Sequence, residues 1–219
     1  MYGCALCIRE EIYASDHPMV LATKNNIAQV YASEERYDEA ISLFETVIRE
    51  YCENSTEDSA FLAAVYDNLS TAYREMERYE DAIDICTEGL NIRKNIYGKR
   101  SLDCAISLNN LALIYYEMGI LNDATDIFSE ALAIKKETLP EIHGQISIGY
   151  FNLGLVYDKL HRDNEALENY RASMEIDNEL EAYEDVLLTA EYIAEIYERN
   201  DMPEDAEAYR TLCSKDDVH

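Results

Sequence analysis

The chain has no tryptophan, and its 219 residues include only three prolines and seven glycines. So few breakers favour long helices over many short strands. Cations are scarce too: 18 lysines and arginines stand against 45 aspartates and glutamates, for a formal net charge of −27. A surface of that sign repels phosphate backbones and anionic headgroups, so neither a nucleic-acid nor a membrane-surface role is expected. No apolar run approaches the roughly 18 residues that a membrane span needs. The first ten residues hold no basic stretch followed by an apolar core and a cleavage site, so a secretory signal is not expected. His17, His143, His161 and His219 are the four histidines, and none is near another in the chain. No HExxH, glycine-rich phosphate loop, nucleophile elbow or alternating-acid calcium loop occurs. Catalysis, a cofactor and a metal site are therefore not expected.

The acidity has two readings. It suits a basic protein or peptide partner, and it also simply keeps a long surface soluble. The six cysteines are Cys4, Cys7, Cys52, Cys86, Cys104 and Cys213. Cys4 and Cys7 form a CxxC, but no second ligand pair accompanies it and no strand pattern precedes it. It reads as two small apolar residues on a helix. Scattered unpaired cysteines point to a reducing cytoplasm.

What the sequence has in abundance is repetition. Asn26-Ile-Ala-Gln-Val-Tyr31, Asn68-Leu-Ser-Thr-Ala-Tyr73, Asn110-Leu-Ala-Leu-Ile-Tyr115 and Asn152-Leu-Gly-Leu-Val-Tyr157 recur every 42 residues, and Tyr192-Ile-Ala-Glu-Ile-Tyr197 follows after 40. Nine residues beyond each closing tyrosine stands an alanine: Ala40, Ala82, Ala124, Ala166 and Ala206. Four residues later come Phe44, Cys86, Phe128 and Tyr170. Apolar residues at i, i+3, i+4 and i+7 mark one face of a first helix, A. A short polar turn and a second amphipathic helix, B, follow. Helix B opens with carboxylates such as Asp38, Glu80, Asp123 and Glu165, which complement the positive end of its dipole. Ala28, Ser70, Ala112 and Gly154 on helix A, with the recurring alanine on helix B, allow close approach of the two backbones. One such pair cannot bury both its faces, so successive pairs must stack. The expected fold is all-α, a right-handed α-solenoid of antiparallel helix pairs.

Helix starts repeat as well. His17-Pro18, Ser59, Ser101 and His143 fall at equivalent positions, where serine is a good N-cap and proline costs nothing in the first turn. The histidines read as helix-start residues, and three repeats separate them, too far to share a metal. The expected organisation is one array over residues 1–213. A leading half-repeat, residues 4–14, matches a B helix without its A helix. Five repeats follow at 17–54, 59–97, 101–139, 143–180 and 184–213, and a disordered tail closes the chain at 214–219. The fifth repeat is more polar, as a terminal cap must be.

Ile8-Arg-Glu-Glu-Ile-Tyr-Ala-Ser-Asp-His-Pro18 followed by Thr23-Lys-Asn-Asn-Ile-Ala28 resembles the 42-residue tetratricopeptide repeats of kinesin light chains. Ser107-Leu-Asn-Asn-Leu-Ala-Leu-Ile-Tyr115 and Ala131-Leu-Ala-Ile-Lys135 extend the resemblance, which runs from about Ala5 to Cys213. It implies that the A helices line a concave surface, where Asn26, Asn68, Asn110 and Asn152 grip the backbone of an extended peptide. A carboxamide offers both donor and acceptor, so it can pair with a peptide main chain whatever its side chains. The asparagines could equally cap neighbouring turns, bond between adjacent A helices, or be inherited by duplication. Gln29 and Thr71 lie three residues past their asparagines, Glu75 and Glu117 seven, with Arg74 and Tyr116 alongside. Kinesin light chains use basic groove residues for acidic cargo. The glutamates depart from that pattern and suggest a neutral or basic segment instead.

The leading expectation is thus a non-catalytic, cytoplasmic interaction module or scaffold that binds an extended segment of a partner protein. Two other readings stand beside it. One is a peptide-sensing regulator. The other is a structural array that self-associates through its N-terminal half-repeat.

Overall fold

The computed structural model describes residues 9, 12–54 and 59–214. The CxxC at Cys4 and Cys7, most of the leading half-repeat, and residues 215–219 of the tail lie outside them. Among the described residues there are ten α-helices and no strand. They are α1 (Pro18–Ser33), α2 (Tyr37–Asn54), α3 (Ala60–Glu75), α4 (Tyr79–Tyr97), α5 (Leu102–Glu117), α6 (Leu121–Thr138), α7 (Gly144–Lys159), α8 (Asp163–Glu179), α9 (Tyr183–Arg199) and α10 (Pro203–Ser214). The chain divides into two compact units, Met1–Ile114 and Tyr115–His219, with the boundary inside α5. Each unit is a stack of antiparallel helix pairs.

In the first unit α1 packs on α2 and α3 on α4, while α2 joins the two pairs by packing on α3. The recurring positions supply the core: Ala28, Ala40, Phe44, Ala72, Ala82 and Cys86 are all buried. The small residue on helix A also carries a polar contact here, since Ser70 Oγ donates to the Ala82 carbonyl at 2.9 Å. The second unit repeats the scheme with α7 on α8 and α9 on α10, and α8 packs on α9. Its core holds Ala166, Tyr170, Ile193 and Ile196, bordered by Phe151, Leu155 and Tyr192. Tyr170 stacks on Tyr192 with ring centroids 5.5 Å apart. A Cβ on Gly154 would lie 2.5 Å from the Tyr170 ring, so this position admits nothing larger than glycine while the ring stays where it is.

The A helices that follow longer connections are capped at their starts. Ser59 Oγ accepts from the Leu62 N–H at 3.1 Å, and Ser101 Oγ from the Cys104 N–H at 3.2 Å. The two helix-start histidines do the same through their rings. His17 Nδ1 accepts from the Met19 N–H at 3.2 Å, and His143 Nδ1 from the Gln145 N–H at 3.1 Å. Each satisfies a donor that the first turn leaves without a helical partner.

The A-to-B turns share one design. Glu35, Glu77 and His161 adopt φ of 60°, 57° and 57°, and the next residue's N–H closes the turn on a tyrosine carbonyl at 2.9 Å in each case. That next residue is Arg36, Arg78 or Arg162. Its guanidinium lies 4.1, 4.4 or 4.6 Å from the ring centroid of Tyr31, Tyr73 or Tyr157. It also pairs with the carboxylate three residues on: Glu39, Asp81 or Glu165. One side chain thus stacks on the end of helix A and holds the start of helix B. The third turn uses Gly119 and Ile120 instead, with Gly119 at φ 78°.

Candidate functional site

In the first unit, the A-helix face holds an open depression of about 320 Å³ between α1, α3 and the start of α2. Gln29, Asn68, Thr71 and Glu75 line it together with Ser33, over a floor that includes Tyr37 and Phe44. Gln29, Thr71 and Glu75 are exposed and Asn68 is half-buried. Four residues that the sequence nominated thus meet in one concavity. The i, i+3, i+7 spacing from Asn68 to Thr71 and Glu75 lays all three along one stripe of α3.

The other nominated residues lie elsewhere. Asn26 is exposed on α1 and Asn110 half-buried on α5, both in the first unit. Among the described residues, neither side chain makes a hydrogen bond. Arg74 is half-buried and pairs with Glu75. Tyr116, Glu117 and Asn152 belong to the second unit. Glu117 is exposed at the end of α5, whereas Asn152 is buried on α7. Tyr116 is half-buried, and burial pushes its phenol pKa up. The Lys159 ammonium sits 4.5 Å from its ring centroid and donates to its carbonyl at 3.4 Å.

Several features of this face were not nominated. Asn68 Nδ2 donates to Asn25 Oδ1 at 3.2 Å, so one amide hydrogen joins adjacent A helices. Ile106 on α5, Ile148 on α7 and Leu188 on α9 are exposed aliphatics. Ile106 and Ile148 stand one turn before Asn110 and Asn152, 42 residues apart. An apolar residue recurring on a face otherwise read as polar could have been recognised in the sequence.

The first unit also holds a buried polar triad. Arg93 on α4 pairs with Asp67 on α3 and donates to Ser107 on α5. Ser107 Oγ in turn donates to Asp67 Oδ1 at 3.2 Å. Burial pushes the Asp67 carboxyl above its ordinary range, and this outweighs the downward pull of the Arg93 charge. Nearby, the Tyr73 hydroxyl donates to Glu45 Oε1 at 2.7 Å, and burial pushes that phenol up to about 12. Lys24 is held by Glu50 at 2.8 Å. In the second unit Lys135, one repeat beyond Arg93, is buried, and loss of solvent lowers its pKa.

Among the described residues, no cluster of histidines, cysteines and carboxylates is placed to hold a metal ion. No helix there is long and apolar enough to cross a membrane. The depression offers carboxamides, hydroxyls and one carboxylate around an apolar floor.

Family models described as tetratricopeptide repeat match residues 20–54, 61–137 and 149–180. No curated protein matches the sequence. Among solved structures, BtubC (BKLC) from P. vanneervenii superposes with a TM-score of 0.86 at 19% identity, over 100% of this chain and 90% of that one. A Podosopora anserina kinesin light chain with nearly identical TPR-like repeats gives 0.78 at 19% identity, over 93% of this chain and 99% of that one. The Rap conjugation gene regulator of the plasmid pLS20, solved in complex with the Phr* peptide, gives 0.69 at 19% identity, over 88% of this chain and 52% of the regulator. Likeness at such identities is likeness of fold.

Proposed function

The chain belongs to the tetratricopeptide repeat family, and from that premise we propose that it is a non-catalytic interaction module that holds an extended, neutral or basic segment of a partner protein. The observation that carries this reading is the depression lined by Gln29, Asn68, Thr71 and Glu75. Its polar groups can both donate to and accept from a peptide main chain, and its apolar floor accepts a side chain. The net charge of −27 disfavours an acidic ligand and favours a neutral or basic one. The Rap regulator, bound to its Phr* peptide, is an instance of the same fold holding a peptide. Cys52, Cys86 and Cys104 are unpaired, which supports placing the protein in the reducing cytoplasm.

A random peptide library selected on the wild-type protein tests the proposal. Recovered peptides should be neutral or basic. Those held in the depression should bind the Gln29→Ala/Asn68→Ala variant about tenfold or more weakly, through loss of two carboxamide contacts to the main chain, while its helical circular dichroism stays unchanged. Recovery of acidic peptides would refute the charge argument, and a selection in which no recovered peptide loses affinity for the variant would refute the site.

A further inference from the structure

The second unit carries a cavity that lies away from the A-helix asparagines. It measures about 660 Å³ and opens between the end of α6, the α6–α7 connection, α7 and the second half of α8. Its walls on α7 are Ile146 and Tyr150, one turn apart on a single helix face. Ile148 and Asn152 point away from that face, since residues two apart lie roughly 200° apart around a helix. The cavity and the groove asparagine therefore occupy different sides of α7.

The lining divides sharply by chemistry. Ile142, Ile146 and Ile176 form an apolar bed, and the exposed Glu141, Glu175 and Glu179 stand around it. Glu175 and Glu179 are one turn apart on α8, so both carboxylates border the same opening. Lys136 is the cation of the lining, and it is already engaged. Its ammonium donates to the Tyr150 hydroxyl at 2.9 Å and lies 5.4 Å from that ring's centroid. Among the described residues, no cation pairs with the three glutamates. The apolar surface also continues past the rim. Ile142 is 45% exposed and Leu180 42% exposed, and Leu180 Cδ1 comes within 4.0 Å of where a Gly144 Cβ would sit. A small organic cation would fill the cavity and leave Leu180 in water. A protein segment covers both.

We propose that this cavity is a second docking site, and that its occupant is a short basic segment of a partner protein. An aliphatic side chain of the segment rests on the isoleucines, and flanking lysine or arginine side chains meet Glu141, Glu175 and Glu179. The charge balance selects the partner: the one cation faces a neutral phenol, so the opening presents uncompensated carboxylates around an apolar centre.

Methyl NMR of protein labelled with ¹³C at the isoleucine δ1 positions tests this with defined probes. Titration with acetyl-Lys-Leu-Lys-Leu-Lys-amide should shift the Ile142, Ile146 and Ile176 signals most, and saturably. The Glu175→Gln/Glu179→Gln variant, altered only at exposed side chains, should bind the peptide about tenfold more weakly, the loss of two rim charge pairs. Ile142→Ser should weaken binding as well, and Gln29→Ala/Asn68→Ala should leave it unchanged. That last comparison keeps this site distinct from the A-helix depression. Absence of shifts, or shifts centred on other isoleucines, overturns the proposal. So does equal binding by the two glutamate-to-glutamine changes, or equal affinity for acetyl-Lys-Ser-Lys-Ser-Lys-amide. Spermidine shifting the same methyls at comparable affinity would assign the cavity to small cations and overturn the protein partner.

Discussion

Replacement of Arg93 by methionine isolates the energetics of the buried triad. Asp67 and Arg93 are each 8% exposed, and Ser107 is fully buried. Methionine keeps most of the apolar stem and removes the cation, leaving Asp67 with the Ser107 hydroxyl as its remaining partner in the triad. Breaking a buried pair from one side costs about 3–5 kcal/mol, because the surviving charge is uncompensated. Removing both charges with Asp67→Asn/Arg93→Met should bring stability back to within about 1 kcal/mol of the wild type. The chain contains its own precedent, since Asn25 and Tyr51 occupy these positions one repeat earlier. The pH dependence has a definite sign. The folded Asp67 pKa already lies above its ordinary value of 3.8, and loss of Arg93 raises it further. The unfolded chain is common to both proteins, so the penalty of Arg93→Met grows with pH between the folded Asp67 pKa of the wild type and its higher value in the variant. Urea unfolding followed by circular dichroism at 222 nm should give a larger penalty at pH 7 than at pH 5. An equal penalty at both values, or a double variant as unstable as the single one, would refute the electrostatic account and assign the effect to packing.

Two further substitutions should stabilise the fold. Tyr170 is fully buried and its hydroxyl has no hydrogen-bond partner among the described residues, so Tyr170→Phe should raise stability by about 1 kcal/mol in the same assay; a comparable loss would mean that the hydroxyl is satisfied. Glu77 pays the steric cost of φ 57° in an exposed turn, so Glu77→Gly should gain about 0.5–1 kcal/mol and Glu77→Val should lose stability; the opposite order in urea midpoints would contradict the left-handed turn.

The helix pairs were legible because their signal is redundant. Small residues such as Ala28 and Ala40, and large ones such as Phe44 and Phe128, recur at fixed intervals, so chance matches cancel and the shared core remains. The capping residues were legible for the same reason. The turn geometry was hidden, since Glu35, Glu77 and His161 are residue types that ordinarily avoid positive φ, and only Gly119 announces it. The shorter spacing before the last pair is explained by its connection. Residues 180–182 close it in a tight turn with Glu181 at φ 57°, where residues 139–143 join α6 to α7. The site was legible in part. Register alone aligned Gln29, Asn68, Thr71 and Glu75, but it could not reveal the Asn25 contact, which depends on how α1 and α3 are offset. The Asp67–Arg93–Ser107 triad escaped because it occurs once, and in so acidic a chain a single carboxylate looks like one more solvated charge.

If Asn68 holds a peptide as proposed, its contact with Asn25 would tie ligand recognition to the cohesion of the first unit. A peptide that leaves this bond intact must read Asn68 through its carbonyl oxygen and its other amide hydrogen. Its own N–H then has an acceptor there, and its orientation along the groove is constrained. A peptide that competes for the bonded hydrogen instead substitutes itself for Asn25 and becomes the link between the two A helices. The first kind of ligand adds its binding free energy to an unchanged scaffold. The second exchanges an internal fastening for an external one, so the spacing of α1 and α3 would follow the ligand's presence, and their solvent exchange would report its departure.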